Sequence, residues 1–569
     1  MASTVAMFTG LSGLTANARY LDVIGNNISN VNTTAYKSNR MLFASQFSRN
    51  FSLGSVPGES TGGTNPAQIG LGVTIAGTQR NFNTGSISAT GDQRDLAIEG
   101  DGFFIVQRGN DRFYTRAGAF RQNSTNDLIT VSGERVMGYG VDADFNVVTG
   151  SLVPMNLPVG QLRLAEATEN VRFTGNLNAG GTMPSRGSVT TFPSLTDLSS
   201  AAITAATLLT DVDDPTIAGT QALFTAGQTI ELRGAEKGGK TIPPASLQIT
   251  ATTTVQDLLD FYVQALGIQT TIGNNPDGST PGAVVNGGVI TITGNYGTAN
   301  DLTVETSDVR ILDSAGNFVS SPLTLNKTAS ADGESIRTTF LVYDSLGNAV
   351  SVDLVMALEQ RDSTGTTWRY FLDSADDTDL DLRIGTGTFQ FDTAGRALTV
   401  NPITATIDRA NTGALTPLSV SFQFSSPTSS VTALASTSST LAATYQDGTP
   451  LGTLSSFSVG QDGTITGAFT NGLTRTIGQV AVASFSNPEG LVDIGSNLFG
   501  VGPNSGTPVI TTPTNLGTGR VVGGALELSN VDLAQEFINL ILASTGYSAS
   551  SRVITTTDQL LQQLLVLGR

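Results

Sequence analysis

The chain reads as a mainly β, multidomain protein closed by a helix at each end, and three observations lead there. Met7, Leu11, Leu14, Ala18, Leu21, Gly25 and Ile28 alternate spacings of four and three, which places them on one helical seam. Leu533, Phe537, Leu540, Tyr547, Ile554, Leu561 and Leu565 follow a similar track near the C-terminus. Between these ends, short alternating apolar runs are broken by Gly, Asn and Asp, the pattern of strands and hairpins. Because the matching helices lie at opposite ends of the sequence, the economical topology is nested. Each domain then combines an early and a late segment, and the central residues form the tip.

The ends are expected to pair as a coiled-coil-like inner domain built from residues 1–35 and 529–569. Up to Ile28 the only charged side chains are Arg19 and Asp22, so the side away from the seam (Ser12, Thr15, Ala16) is small and uncharged. A helix without a charged outer face needs neighbours on several sides, which predicts self-assembly. The C-terminal seam is less regular: Ser544, Ser551 and Asp558 share a column, and Ile538, Ile541 and Leu542 lie beside it. That suits a helix in a wall, touching its N-terminal partner on one side and other copies on the next, and ordering on assembly.

In chain order, GNNISNVNTT ends the first helix with residues that cap carbonyls and tolerate left-handed turns. Residues 36–68 read as an extended connector of modest structure. Residues 69–155, joined by 445–525, form a run of hairpins and an inner β domain. Residues 156–181 with 330–444 form an outer β domain, whose clearest hairpin turns at Asp344 to Asn348 and places Val350, Val352, Leu354 and Met356 on one face. Residues 182–329 form an α+β insert. Its helix starts at Thr254 with Asp257 in capping-box position, puts Val255, Leu258, Leu259, Tyr262 and Leu266 on one face, and closes at Gly267.

Composition excludes several functions. Lys and Arg number 29 against 47 Asp and Glu, a formal charge of -18 that opposes nucleic acid and anionic lipid as partners. No run approaches a membrane span, and the N-terminus lacks the basic region and apolar core of a cleavable secretory signal. With no Cys and no His, Ser-His-acid and Cys-His catalysis and His or Cys metal sites are ruled out. A chain without thiols can also be threaded unfolded through a narrow channel into an oxidising space. Gly234 to Thr241 matches a phosphate loop, but Pro243 and Pro244 follow where a helix must begin, so a glycine turn between strands is expected. Asp142, Asp144 and Asn146 begin like a calcium loop, yet Val147 and Val153 occupy the glycine and bidentate-acid positions, so a β-turn is expected. The acidic run Asp373, Asp376, Asp377, Asp379 and Asp381 reads as a solvated loop. No cofactor, metal or enzymatic activity is expected; paired carboxylates in a glycan-active enzyme would remain, but a single Trp gives little to stack a sugar on.

Residues Leu21 to Ser38, LDVIGNNISNVNTTAYKS, resemble the N-terminal signature of the axial proteins of the bacterial flagellum, the rod and hook subunits. Its motif positions are Asn26, Asn27, Asn30, Thr34, Tyr36 and Lys37, with Ala35 and Tyr36 standing where many members carry Gly and Phe. AIEGDGFFIVQ, YTRAGAF and the C-terminal GALELSNVDLAQEF segment are similar to the same family. VYDSLGN, GNLNAGG and GTITGAFTNGLTRTIGQVAVASFSNPEGL resemble its hook members in particular. The resemblance implies a structural subunit polymerising into a flexible tube between motor and filament. It implies export by the flagellar type III apparatus without a cleaved signal, an extracellular location in the hook and basal body, and the distal rod, hook cap and hook–filament junction proteins as partners. A distal rod subunit is the near alternative, and an extracellular adhesin or glycan-active enzyme the distant one.

Overall fold

The computed structural model describes residues 4–398, 402–426, 429–435 and 438–567, and every structural statement below concerns these residues. The protein is mainly β, with three α-helices: α1 (Thr4–Ser29), α2 (Val255–Ala265) and α3 (Leu533–Leu567). Two compact units divide the chain, one made of residues 1–162 with 453–569 and the other of residues 163–452. Residues 1–3 and 568–569 of the expected terminal helical domain lie outside the described residues, as do residues 399–400 of the strand expected over 389–400; the described strand there is Arg383–Phe391.

In the first unit, early strands pair with late ones. Ile87–Ala89 pairs with Ala525–Glu527, Leu96–Glu99 with Arg520–Gly523, Asp111–Thr115 with Leu498–Gly500, and Arg135–Val141 with Thr474–Val480, all antiparallel. The strand Phe103–Arg108 is central, and its alternation feeds two cores. Phe104 and Val106 pack with Leu96, Ile98 and Val480, whereas Phe103 and Ile105 pack with Tyr114, Phe485 and Phe499 on the opposite face. Burial on both faces explains why FFIV is continuously apolar instead of alternating.

Residues 36–68, expected as a connector of modest structure, contain paired strands. Asn39–Ser45 pairs with Val73–Arg80, and Ser48–Ser52 with Ala67–Gly70, so the chain runs out and back as one long two-stranded arm. Its base lies along α1: the Val73 amide donates to Ser12 Oγ at 3.2 Å, and the rings of Tyr20 and Phe43 meet edge-on at 5.5 Å. Part of the uncharged face of α1 is therefore covered by its own chain. The arm is rich in Ser, Asn and Gly at the positions where a strand signal needs β-branched residues, which hides it in sequence.

The second unit carries the four-stranded antiparallel sheet Ser335–Tyr343, Ala349–Asp362, Gly365–Ser374 and Arg383–Phe391. It packs against a sheet containing Asn170–Asn176, Ile403–Ile407 and Leu418–Gln423, with Phe173, Phe340, Trp368, Phe389 and Phe422 in the core between them. Residues 182–329 have their own core around α2, where Val255, Leu258, Leu259, Tyr262 and Leu266 are all buried. Thr254 and Asp257 form the reciprocal capping box, and Gly267 at φ 59° ends the helix.

One turn recurs through both units. In Asp142–Asn146, Asp313–Asn317, Asp344–Asn348 and Asp392–Arg396 the leading carboxylate accepts backbone N–H groups two and four residues on, at 2.8–3.0 Å. The fourth residue is left-handed: Phe145, Gly316, Gly347 and Gly395. The calcium-loop look-alike is thus a carboxylate-capped hairpin turn.

A buried carboxylate in the first unit sets an acid limit. Glu134 is fully buried, and burial alone would raise its carboxyl. Hydrogen bonds from Thr130, Ser132 and Arg108 outweigh that and hold it at about 2, below its ordinary 4.5. Since the folded value is depressed, its stabilisation is present in full above pH 4.5 and is lost as pH falls toward 2. Glu134 alone should account for about 3 kcal/mol of the stability lost across that window, so the denaturant-measured pH profile of Glu134→Gln should be flatter than that of wild type by about that amount.

Candidate functional site: the junction of the terminal helices

Helices α1 and α3 run antiparallel and meet through small residues. A Cβ placed at Gly10 would stand 3.0 Å from Ile554 Cγ1, one at Gly13 would stand 2.8 Å from Ser550 Oγ, and one at Gly546 would stand 3.0 Å from the Asn17 amide. The contact stripe on α1 includes Gly10, Gly13, Asn17 and Asn27, one residue before the sequence-predicted seam. It carries the same four-and-three spacing, which is why periodicity cannot choose between them. Glycine decides, because it lets the backbones approach where leucine would hold them apart.

Of the predicted seam, Ile554 lies in this contact against Gly10, and the others are covered to differing degrees. Met7, Leu14, Ala18, Leu21 and Ile28 are half-buried and Leu11 is 51% exposed. On α3, Leu540, Ile554 and Leu561 are half-buried, whereas Leu533, Phe537, Tyr547 and Leu565 are exposed.

The signature motif forms the joint between these helices and the β strands. Asn27 is buried and uses its whole amide: Nδ2 donates to the Asn39 carbonyl (2.8 Å) and to Glu536 Oε1 of α3 (2.9 Å), and Oδ1 accepts from the Asn39 amide (3.0 Å) and the Tyr36 hydroxyl (3.2 Å). Asn26 Nδ2 donates to the same hydroxyl at 3.1 Å, a contact that Phe at position 36 could not make. Asn30 Nδ2 caps the Asn26 carbonyl at 2.9 Å, closing α1. The Thr34 carbonyl accepts from Asn497 Nδ2 at 2.9 Å. Ala35, fully buried, takes φ 56°, so the left-handed turn is made without glycine, and its amide bonds the Glu527 carbonyl at 2.8 Å.

Beyond the turn, Lys37 enters a buried charge cluster. Its Nζ donates to Glu527 Oε1 at 2.6 Å and to the Asn83 carbonyl at 2.7 Å; Glu527 Oε1 also accepts the Gly85 amide at 2.8 Å, and Arg116 Nη1 lies 3.6 Å from Oε2. Arg116 donates to the carbonyls of Ile98 (3.2 Å) and Gly100 (2.6 Å). Burial lowers the Lys37 ammonium, and Glu527 opposes that drop; the Arg116 guanidinium is lowered for the same reason, with Glu527 and Asp101 opposing. Asn530, just before α3, accepts the Ser38 amide at 2.8 Å and donates to the carbonyls of Asn81 (2.8 Å) and Asn83 (3.0 Å). Glu527, Arg116, Asn530 and Glu536 escaped residue-level sequence reading. Their signal was present, since an acid inside the apolar strand GALEL and an arginine within YTRAGAF are charges where burial is expected.

The look-alike motifs resolve structurally. Glu236–Lys237 pairs with Lys240–Thr241 across Gly238 and Gly239, and the chain continues into the strand Ala245–Gln248, so the phosphate-loop pattern is a glycine hairpin. The acidic run is not one solvated loop, which corrects that expectation: Asp373 is buried in an ion pair with Lys237 at 2.6 Å, Asp381 pairs with Arg383, and Asp376 accepts the Ser351 amide. Backbone alternation on a central strand, invisible in composition, turns Asp373 inward.

Four protein-family models match the chain: "Flagella basal body rod protein" over residues 7–37, "Flagellar hook protein FlgE/F/G D1 domain" over 97–173, "Flagellar basal body protein FlaE D2 domain" over 305–449, and "Flagellar basal body rod FlgEFG protein C-terminal" over 522–567. Among curated proteins, the flagellar hook protein FlgE of Treponema pallidum is 28% identical over 99% of both chains, that of Borreliella burgdorferi 27% over 98% of both, and that of Escherichia coli 24% over 99% of both. A crystal structure of Helicobacter pylori flagellar hook protein FlgE2 aligns with 77% of this chain and all of its own, at 17% identity and a TM-score of 0.37. Lys37, Arg116 and Glu527 come from three different matched segments.

Two substitutions probe the joint. Lys37→Met leaves Glu527 buried with less compensation and should cost about 3–5 kcal/mol in chemical denaturation. Asn27→Ala should cost about 2 kcal/mol and accelerate amide exchange at the C-terminal end of α1 and the N-terminal end of α3, while exchange around Trp368 stays unchanged.

Proposed function

The chain belongs to the flagellar hook and rod protein family, and we infer that it is the hook subunit, a structural protein that assembles with copies of itself. Full-length correspondence with hook proteins favours this over the distal rod reading, since rod subunits lack most of the region between about residues 155 and 440. The observation that carries self-assembly is the outer surface of the helix pair. Phe537, Ile538, Ile541 and Leu542 of α3, and separately Phe8 of α1, are each more than half exposed, apolar side chains that a single copy leaves in water.

On this reading α1 and α3 line the inner wall of a tube that also serves as the export channel. The Met7, Leu11, Leu14, Ala18, Leu21 and Ile28 stripe, with Leu533, Phe537, Tyr547 and Leu565, faces neighbouring copies. The β domains are built in the nested order 69–155 with 445–525, then 156–181 with 330–444, then 182–329. Bending of the tube comes from copies sliding at domain contacts while each domain stays rigid. The distal rod, hook cap and hook–filament junction proteins are its neighbours outside the cell, and the flagellar type III apparatus exports it. A glycan-binding or hydrolytic role would require activity from the β region without polymerisation.

Removing residues 1–30 and 531–569 together should leave a folded monomer with unchanged Trp368 emission; tubes formed by that fragment would overturn the helix account. In the full chain, Leu14→Asp or Leu21→Asp should block assembly seen by electron microscopy and sedimentation while the β units keep their circular dichroism, because the new charge would be desolvated against a neighbour.

A further inference from the structure

The hairpin that mimics a phosphate loop has a different task in the second unit. Lys237 and Lys240 are directly opposite each other across its two strands. Asp353 and Asp373 are directly opposite each other on the strands Ala349–Asp362 and Gly365–Ser374 of the four-stranded sheet. The two pairs face each other. Lys237 Nζ lies 2.6 Å from Asp373 Oδ2, and Lys240 Nζ lies 2.8 and 2.6 Å from the two Asp353 oxygens. Lys237 also donates to the Gly267 carbonyl at the end of α2, at 2.9 Å.

Arginines of the same sheet reach the insert's backbone around this square. Arg337 donates to the carbonyls of Lys237 (2.6 Å) and Ala299, and Arg383 to that of Ile268 (2.8 Å). Beside them a small apolar cluster joins Tyr296 of the insert to Val355, Ala357 and Phe371 of the sheet.

Burying charges is expensive, and ion pairing roughly offsets the desolvation without adding much net attraction. Asp373 registers that cost. Burial pushes its carboxyl up, Asp353 beside it adds to the rise, and Lys237 and Arg337 pull it down without restoring it. Attraction between insert and sheet therefore comes mainly from the apolar cluster, and the charges contribute selectivity of position. Two ammonium groups over two carboxylates match in one seating, and any slip along the sheet leaves like charges together or a buried charge alone. We propose that this lysine–aspartate square is a seating lock that makes the 182–329 insert and the four-stranded sheet a single rigid body. The proposal is independent of the hook reading.

The chain has no cysteine, so two introduced ones can be spin-labelled cleanly. Ser314→Cys in the insert and Thr393→Cys in the sheet's outer turn are both exposed. Double electron–electron resonance on this otherwise intact chain should give one narrow distance peak; a broad distribution would overturn the proposal. Adding Lys237→Met and Lys240→Met should move at least half of the population out of that peak, with emission from the single, buried Trp368 unchanged; a peak that stays narrow would overturn it. If the double change unfolds the sheet, seen as a red shift of Trp368, the partly exposed Lys240 decides: Lys240→Met should broaden the peak and Lys240→Arg should keep it narrow. Equal behaviour of those two variants would overturn the lock.

Discussion

The structure depends on bringing together two residues 490 positions apart in sequence, Lys37 and Glu527. Their pairing, with Arg116 beside them, sits where α1, the long arm, the inner strands and α3 all meet. A buried charge cluster is a costly way to hold a joint, since each ion loses several kcal/mol of hydration. It makes the joint selective: three charges with fixed carbonyl and amide partners fit together only when both chain ends arrive in register. Asn27 extends that selectivity into the helices, because its one amide, carried on α1, bonds the start of the arm and Glu536 of α3 at once.

From that joint the helix pair extends through a glycine-lined contact. Close approach at Gly10, Gly13 and Gly546 consumes the small stripe and leaves the larger apolar side chains beside it only half covered. Had the leucine stripe formed the contact within the chain, the helices would stand farther apart. The arm along α1 removes a further part of the helix surface, so the apolar face that remains is directional, which suits a subunit with defined neighbours.

Polar side chains organise the β regions as much as apolar ones do. The repeated Asp-led turn closes hairpins in both units by giving backbone N–H groups an acceptor that tolerates a left-handed fourth residue. The same chemistry makes Asp142 to Asn146 look like a cation loop. Similarly, the glycines that let Lys237 and Lys240 face each other make residues 234–241 look like a phosphate loop. In both cases the motif matched on local backbone demands, which hairpins and ligand loops share.

Periodicity alone determined that the ends are helical and the middle is β, because helix and strand periods of 3.6 and 2 are local properties of the chain. It determined α2 to its cap and closing glycine, since every feature there lies within one short segment. Composition excluded His and Cys chemistry, and the signature segments carried the resemblance to flagellar axial proteins. Tertiary structure decided what depends on partners far away in sequence. It selected the glycine stripe over the leucine stripe, two patterns with one spacing. It paired the polar arm with itself, and it turned Asp373 and Glu527 inward to lysines 136 and 490 residues away. A buried charge is recognisable only by what it meets, and that meeting is a property of the fold.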